Sequence, residues 1–189
     1  MNKKILVLIL VLSLILISCG KTVKYELNGF EIEKLAESYY RIRLNVEKEN
    51  VRSVYYSNIR YDPKELGIIN VGGDVKDKIL KANEIFIAMN PNANYTGKVT
   101  AAGLEIKKFI SNPFLWNKTA SAAFTEKFKD MGFKIKRCED SNETTTVILL
   151  KTGDNDKVYY DKCVIVQGKD EEGMIRSADR LVLNLLGVY

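Results

Sequence analysis

Histidine is absent from all 189 residues. That excludes Ser-His-Asp and Cys-His catalysis, His-ligated zinc and the usual neutral-pH proton shuttle. Proline is scarce, at three residues, and without low-complexity tracts nothing marks an interdomain linker. No internal repeat is present. Phosphate-binding signatures are missing too: there is neither a G-x-x-x-x-G-K-[ST] loop nor a G-x-G-x-x-G fingerprint. Gly72-Gly73-Asp74 lies where such loops sit, between a strand and a helix, but reads as a tight turn. Charge is not concentrated either. Lys and Arg number 29 against 24 Asp and Glu, a formal +5 with no basic block, which gives little support for nucleic-acid binding.

What is present begins at the amino terminus. Lys3 and Lys4 precede Ile5 to Ile17, an almost unbroken run of Leu, Ile and Val that ends at Ser18-Cys19. A charged start followed by an apolar run of this length is the pattern of a secretory signal. The run is short of the roughly 20 residues a spanning helix needs, and no small-x-small site closes it. Leu16-Ile17-Ser18-Cys19 resembles the cleavage box of the bacterial lipoprotein signal peptide, with an aliphatic residue three before the cysteine and a small one just before it. The resemblance implies removal of residues 1–18, lipidation of Cys19 and a membrane anchor with two or three acyl chains. Gly20 in place of aspartate implies an outer-membrane destination facing the periplasm in a diderm organism. Residues 19–29 then read as a lipidated tether and 30–189 as a single domain. Loss of Lys3 and Lys4 takes the 29 basic residues to 27 against 24 acidic ones, net +3 over the remaining 171 residues. That length is enough for a sizeable core.

Along the domain, Tyr40, Ile42, Leu44 and Val46 alternate with polar residues, and Val51 to Tyr56 is β-branched and aromatic. Tyr40 to Ile59 therefore predicts a hairpin. Residues 30–38 fit either a short helix or an extended lead-in. Further strands are expected at Gly67 to Val71, Ile85 to Met89, Val99 to Ile110, Phe133 to Cys138 (Phe133 and Ile135 inward), Thr144 to Leu150 and Val158 to Gln167. Asp74 predicts the cap of a short helix reaching Ala82. Ala120, Phe124, Phe128 and Met131 share a helical face, so the main helix is expected over Asn117 to Met131, ended by Gly132. A last helix is expected from Gly173 to Leu186, with Met174, Ala178, Leu181, Val182 and Leu185 inward and Gly187 as its stop.

These elements predict the α+β class: a mixed or antiparallel sheet packed with two main amphipathic helices. From Phe114 to Leu186 the pattern resembles small envelope lipoproteins and the amino-terminal domain of the TolB type, through Phe124 to Met131, Gly132-Phe133 and Val147 to Leu150. In such domains a sheet-and-helix unit docks other envelope proteins. The resemblance carries over no functional residue.

Candidate site residues are few. Asp154, Asn155 and Asp156 lack the spacing of a calcium loop and read as a turn. Glu139-Asp140 and Asp170-Glu171-Glu172 read as solvated ends of elements, the latter suited to the positive end of the last helix. No metal site and no cofactor is expected. Tyr39, Tyr40, Tyr55, Tyr56 and Tyr61 crowd the first hairpin, where alternation turns one of each adjacent pair outward. Tyr39 and Tyr55, with Trp116 in the apolar loop Asn112 to Trp116, form the candidate partner surface; core packing and strand propensity account for the tyrosines more simply, and Trp116 reads first as a buried staple before the main helix.

The expected function is a non-enzymatic, lipid-anchored envelope module that binds or scaffolds another envelope component. The alternative is a one-domain small-ligand carrier or transport accessory; an enzyme would have to work with carboxylates, Lys, Tyr or Ser. Cys138 and Cys163 are expected as free thiols. In a simple meander they flank the central strand about 9–10 Å apart, beyond disulfide reach.

Overall fold

The structure is a computed structural model in which residues 23–48, 51–129 and 131–189 are described. The cleavage box and Cys19 lie outside the described residues. The chain is α+β, with two sheets and helices between them.

The first sheet is an antiparallel meander of β1 (Val23–Leu27), β2 (Phe30–Ala36), β3 (Tyr39–Lys48) and β4 (Val51–Ile59), in that spatial order. Period-two alternation puts Ile32, Tyr40, Ile42, Leu44 and Ile59 on a buried face. The other face carries ion pairs such as Arg43–Glu31 at 3.1 Å. Part of the expected tether is therefore a strand: β1 pairs with β2 from Val23↔Lys34 to Leu27↔Phe30. The signal was Asn28-Gly29, whose φ values of 50° and 84° make the two-residue turn that this dipeptide favours.

The second sheet has the order β5-β10-β11-β9-β6-β7-β8. Its centre is parallel: β11 (Cys163–Gly168), β9 (Thr145–Thr152), β6 (Glu84–Met89) and β7 (Thr119–Phe124). The edges are β5 (Asn70–Val71), parallel to β10 (Lys157–Asp161), and β8 (Lys134–Ile135), parallel to β7. The strand expected over Val158 to Gln167 is in fact two, β10 and β11, folded antiparallel about Lys162 at φ 57°.

Two short helices, α1 (Pro63–Leu66) and α2 (Val75–Lys81), precede the longer α3 (Gly97–Ile110) and α4 (Glu171–Leu186). Asp170 accepts from the Gly173 N–H at the start of α4, and Gly187, at φ 81°, closes it. All five residues read as its inner face are buried, but so are Ser177, Asp179 and Arg180. A helix buried around most of its circumference lies between two partners. Here the partners are the two sheets, which share one core with α3 and α4.

The helix expected over Asn117 to Met131 is not formed. Thr119–Phe124 is a strand hydrogen-bonded beside β6, and the helix lies earlier, at Gly97–Ile110, where a strand was expected. Thr96 caps it, and Val99, Ala102, Ile106, Phe109 and Ile110 are its buried stripe. Leu104, read as the inward partner of Ile106 in a strand, is 57% exposed. The Ala120–Phe124–Phe128 spacing fitted a helix by coincidence; parallel pairing to β6 satisfies the backbone along β7 instead. The quoted helix of the TolB-type resemblance, Phe124 to Met131, is thus absent. Phe133 and Ile135 are exposed, and Cys138 opens a 3-10 turn (Cys138–Asp140) that replaces the expected strand end.

Among the described residues, helices cover one face of the large sheet. On the other, Phe86, Ala88, Ala123, Val147, Cys163 and Ile165 form a second, smaller core, closed by the segment that carries Cys138. Cys138 and Cys163 are disulfide-bonded, their Cα atoms 4.8 Å apart. The expectation of free thiols fails with the meander behind it. Because β11 is parallel to β9 and Cys138 sits on a turn rather than in a neighbouring strand, the chain folds back over the sheet face above Cys163.

Candidate docking surface

The tyrosines are positioned by the register of β3 and β4. Leu44↔Tyr55 and Arg43↔Tyr56 are paired, so Tyr55 shares the face of buried Leu44 while Tyr56 turns outward under the Arg41 guanidinium, 5.2 Å from its ring centre. Tyr39 opens β3 and is exposed, whereas Tyr40 beside it is buried. Tyr39 and Tyr55 meet in a cleft of about 110 Å³ between β4, α3 and α4, with Glu105, Lys108 and Asp179 in its wall. Trp116 is not in that cleft. It lines an adjoining open groove of about 450 Å³ with Phe30, Val46, Phe114 and Leu186.

Phe114 connects the two. Its ring stacks on Tyr55 with centroids 6.2 Å apart, and the Asn112 side-chain amide donates to the Tyr55 hydroxyl. Tyr39, Tyr55, Phe114 and Trp116 thus follow one another along the side of the molecule. Phe114 belonged to the loop singled out in the sequence but not to the expected surface; its neighbour Pro113 and the tight turn at Asn112 were the available signal. The Trp116 indole N–H is buried and finds no hydrogen-bond partner among the described residues.

Next to this surface runs β4, the outer strand of the small sheet. Its nine residues pair with β3 on one side only. Val51 and Val54 are 64% and 46% exposed. Long edges of this kind are normally blunted by proline, bulges or inward charges. β4 contains no proline and pairs with β3 without a register shift.

Asp179 is the strongest electrostatic feature of the cleft. It is 1% exposed, and one carboxylate oxygen accepts from the backbone N–H groups of Arg60 at 2.9 Å and Tyr61 at 3.0 Å. Burial, reinforced by the Glu105 charge, pushes its pKa up to about 7 despite those donors. Glu105 pairs with Arg60 at 2.5 Å, and that bond raises the guanidinium pKa further. These groups fasten the end of β4 to the helices, a structural task. Other acidic candidates are likewise engaged: Asp156 holds Arg176 at 2.8 Å and accepts from the Lys169 N–H, and Asp140 accepts from the Arg137 N–H.

In parallel sheets, ligands bind in the crevice beyond the carboxyl ends of the strands. Here that region, where α3 and α4 begin, is crossed by side-chain bonds between the two helix starts. Glu171 accepts from the Thr96 N–H at 3.0 Å and from the Thr96 hydroxyl, and these bonds hold its carboxyl below the usual range. Glu172 receives Lys98 and the Tyr61 hydroxyl. Among the described residues there is no group of three or more His, Cys, Asp or Glu arranged to hold a metal.

No family model, curated protein or solved structure matches the chain.

Proposed function

We propose that the protein is a lipid-anchored envelope lipoprotein that acts as a non-enzymatic binding or scaffolding module for another envelope protein. The observation that carries the binding role is the open edge of β4, flanked by the aromatic series from Tyr39 to Trp116. An extended partner segment adding to that edge gains main-chain hydrogen bonds, and the neighbouring aromatics supply selectivity. The Cys138–Cys163 disulfide supports the exported half of the reading, since such bonds persist in oxidising compartments. The signal pattern ending at Cys19 supplies the anchor, and Gly20 favours the outer membrane of a diderm cell.

A one-domain carrier is the weaker reading. The enclosed part of the aromatic surface, a cleft of about 110 Å³, is well below the roughly 300–1,000 Å³ of small-molecule sites, and the adjoining groove of about 450 Å³ is open to solvent rather than enclosing. An enzyme is weaker still, because the carboxylate of Glu171 at the carboxyl ends of the parallel strands is engaged by the Thr96 N–H and hydroxyl.

Photo-crosslinking in the native envelope tests the proposal. A crosslinker at Val54 or Tyr39 is expected to capture one defined protein, and a crosslinker at Leu104 on the outer side of α3 is not. Val54→Pro, which bends the edge without touching the core, should abolish capture while leaving the thermal transition within a few degrees. Equal capture from all three positions, or none, refutes docking at this edge.

A further inference from the structure

The excursion between β7 and β8 combines exposed apolar residues with a high share of lysine. Met131, Phe133 and Ile135 are 54%, 42% and 41% exposed. Phe133 leans on Phe124, with centroids 4.5 Å apart, and Phe128 meets Phe124 edge-on at 6.1 Å. An aromatic base thus holds the tip residues outward. Around it stand Lys127, Lys129, Lys134 and Lys136, so residues 124–137 carry five cations with Arg137 against Glu126 and Asp130. Lys134 and Lys136 lie over the Phe86 ring at 5.0 and 4.7 Å, and Arg137 pins the base of the excursion through the Thr125 carbonyl at 2.7 Å. β8 is only two residues long, too short to serve as a pairing edge.

We propose that this excursion is a second membrane contact: its apolar tip enters the interface of an anionic bilayer, and its lysines engage the lipid headgroups. The composition decides between a lipid and a protein partner. Lysine is depleted at protein–protein interfaces, whereas lysine beside phenylalanine and other apolar residues marks surfaces that lie on anionic membranes.

Placement adds a second argument, which rests on the lipid anchor proposed above. At the Leu27 end of β1, Asn28 donates to the Val188 carbonyl beyond the end of α4. From there β1, followed backwards to Val23, runs towards the other end of the domain, since Val23 is in register with Lys34, Tyr40 and Ile59 across the small sheet. Ile59 leads into Arg60 and Tyr61, whose backbone N–H groups bond to Asp179 at the middle of α4, while the Tyr61 hydroxyl reaches Glu172 in its first turn. That is the end where β6 and β7 finish and where the excursion begins. Cys19 is four residues before Val23, a reach of at most about 14 Å. The anchor and the excursion therefore face the bilayer from the same end.

Depth-dependent fluorescence quenching tests this with the full-length, lipidated chain reconstituted into vesicles. Trp116 is the single tryptophan, so Phe133→Trp in a Trp116→Phe background reports on the tip alone. With brominated acyl chains in vesicles containing phosphatidylglycerol, the Phe133→Trp reporter should have its emission quenched. Replacing Lys127, Lys129, Lys134 and Lys136 by Gln, or raising salt until the Debye length falls to about 3 Å, should restore it. Leu104→Trp in the same background should stay unquenched. The Trp116→Phe parent must keep its circular-dichroism spectrum, and Ile135→Trp serves as a second reporter if Phe133→Trp perturbs folding. An unquenched tip on vesicle-bound protein overturns the proposal and leaves the anchor intact. Quenching of the Leu104→Trp chain, or equal tip quenching on uncharged phosphatidylcholine, also overturns it. Protein that washes off phosphatidylcholine vesicles refutes the anchor instead; salt-sensitive capture by phosphatidylglycerol vesicles with tip quenching would then still support the contact. Capture by soluble polyanions alone, without quenching, would assign the lysines to another ligand and overturn it.

Discussion

At position 179 a carboxyl group is enclosed between α4 and the end of β4, and its charge makes stability depend on pH. In the unfolded chain it ionises near its ordinary value of 3.8, and in the folded protein near 7. Between those values the unfolded state gives up its proton first. This group therefore lowers stability as pH rises from about 4, and the loss is complete above 7. Asp179→Asn keeps an oxygen for the Arg60 and Tyr61 N–H groups and removes the titration. Urea unfolding at pH 5 and pH 8 should show wild type losing about 2–3 kcal/mol more than the variant across that interval. Parallel profiles would mean that Asp179 ionises normally. None of this was legible in Ser177, Asp179 and Arg180, which flank the inward Ala178 as the polar side of an amphipathic helix. It became buried because the small sheet covers that side. Trp116 repeats the lesson at smaller scale. Burial of Trp116 was foreseeable, but an indole N–H without a hydrogen-bond partner among the described residues was not.

At the scale of elements, the exchange between α3 and β7 is open to direct test. Leu181 on α4 is fully buried and Leu104 on α3 is mostly exposed. Leu181→Ala should cost about 2–5 kcal/mol and Leu104→Ala less than about 0.5 kcal/mol, read from denaturation midpoints. Equal losses would restore a strand with Leu104 inward. Gly168 joins β11 to α4 so closely that a Cβ there would fall 2.1 Å from the Met174 nitrogen and 2.5 Å from the Asp170 carbonyl oxygen. Neither backbone atom can yield, so Gly168→Ala should prevent stable folding, seen as loss of the cooperative thermal transition. The disulfide is the other constraint at this scale. It spans 25 residues of sequence, and a loop of that length contributes about 3–4 kcal/mol by chain entropy. Alkylation under denaturing, non-reducing conditions should leave Cys138 and Cys163 unmodified. Reductant should lower the urea midpoint of wild type but not that of a Cys138→Ala, Cys163→Ala double variant. Spacing could not foretell the bond, because the decisive fact is a change of direction at Lys162, where one expected strand becomes two.

At the scale of the whole molecule, two sheets enclose α4 in a shared core, and the back of the large sheet depends on a disulfide-bound segment for cover. This arrangement leaves the β4 edge and the lysine-ringed excursion facing solvent. Each suits one of the contacts proposed for a tethered envelope module. The anchor itself is tested by Cys19→Ala. The variant should accumulate as an uncleaved precursor without acyl chains, seen by intact mass and by metabolic labelling with a fatty acid. Normal processing of that variant would sink the lipoprotein reading.

Local signals determined much of the chain: the hairpin from Tyr40 to Ile59, the apolar strands at Ile85 and Val147, and the last helix with its Gly187 stop. Each rests on periodicity or on a backbone conformation that few residues adopt, and both are written within a dozen residues. The sequence likewise holds the whole case for the anchor, which lies in the order of residues 1–19. Tertiary structure decided which of two ambiguous apolar stretches became helix, since Thr119–Phe124 is a strand only because β6 lies beside it. It also brought Cys138 to Cys163, Tyr55 to Phe114 and Asp179 to the end of β4. Those pairs are 25, 59 and about 120 residues apart, and no local preference acts over such distances. Parallel strand pairing and the closing of two sheets on one helix set them.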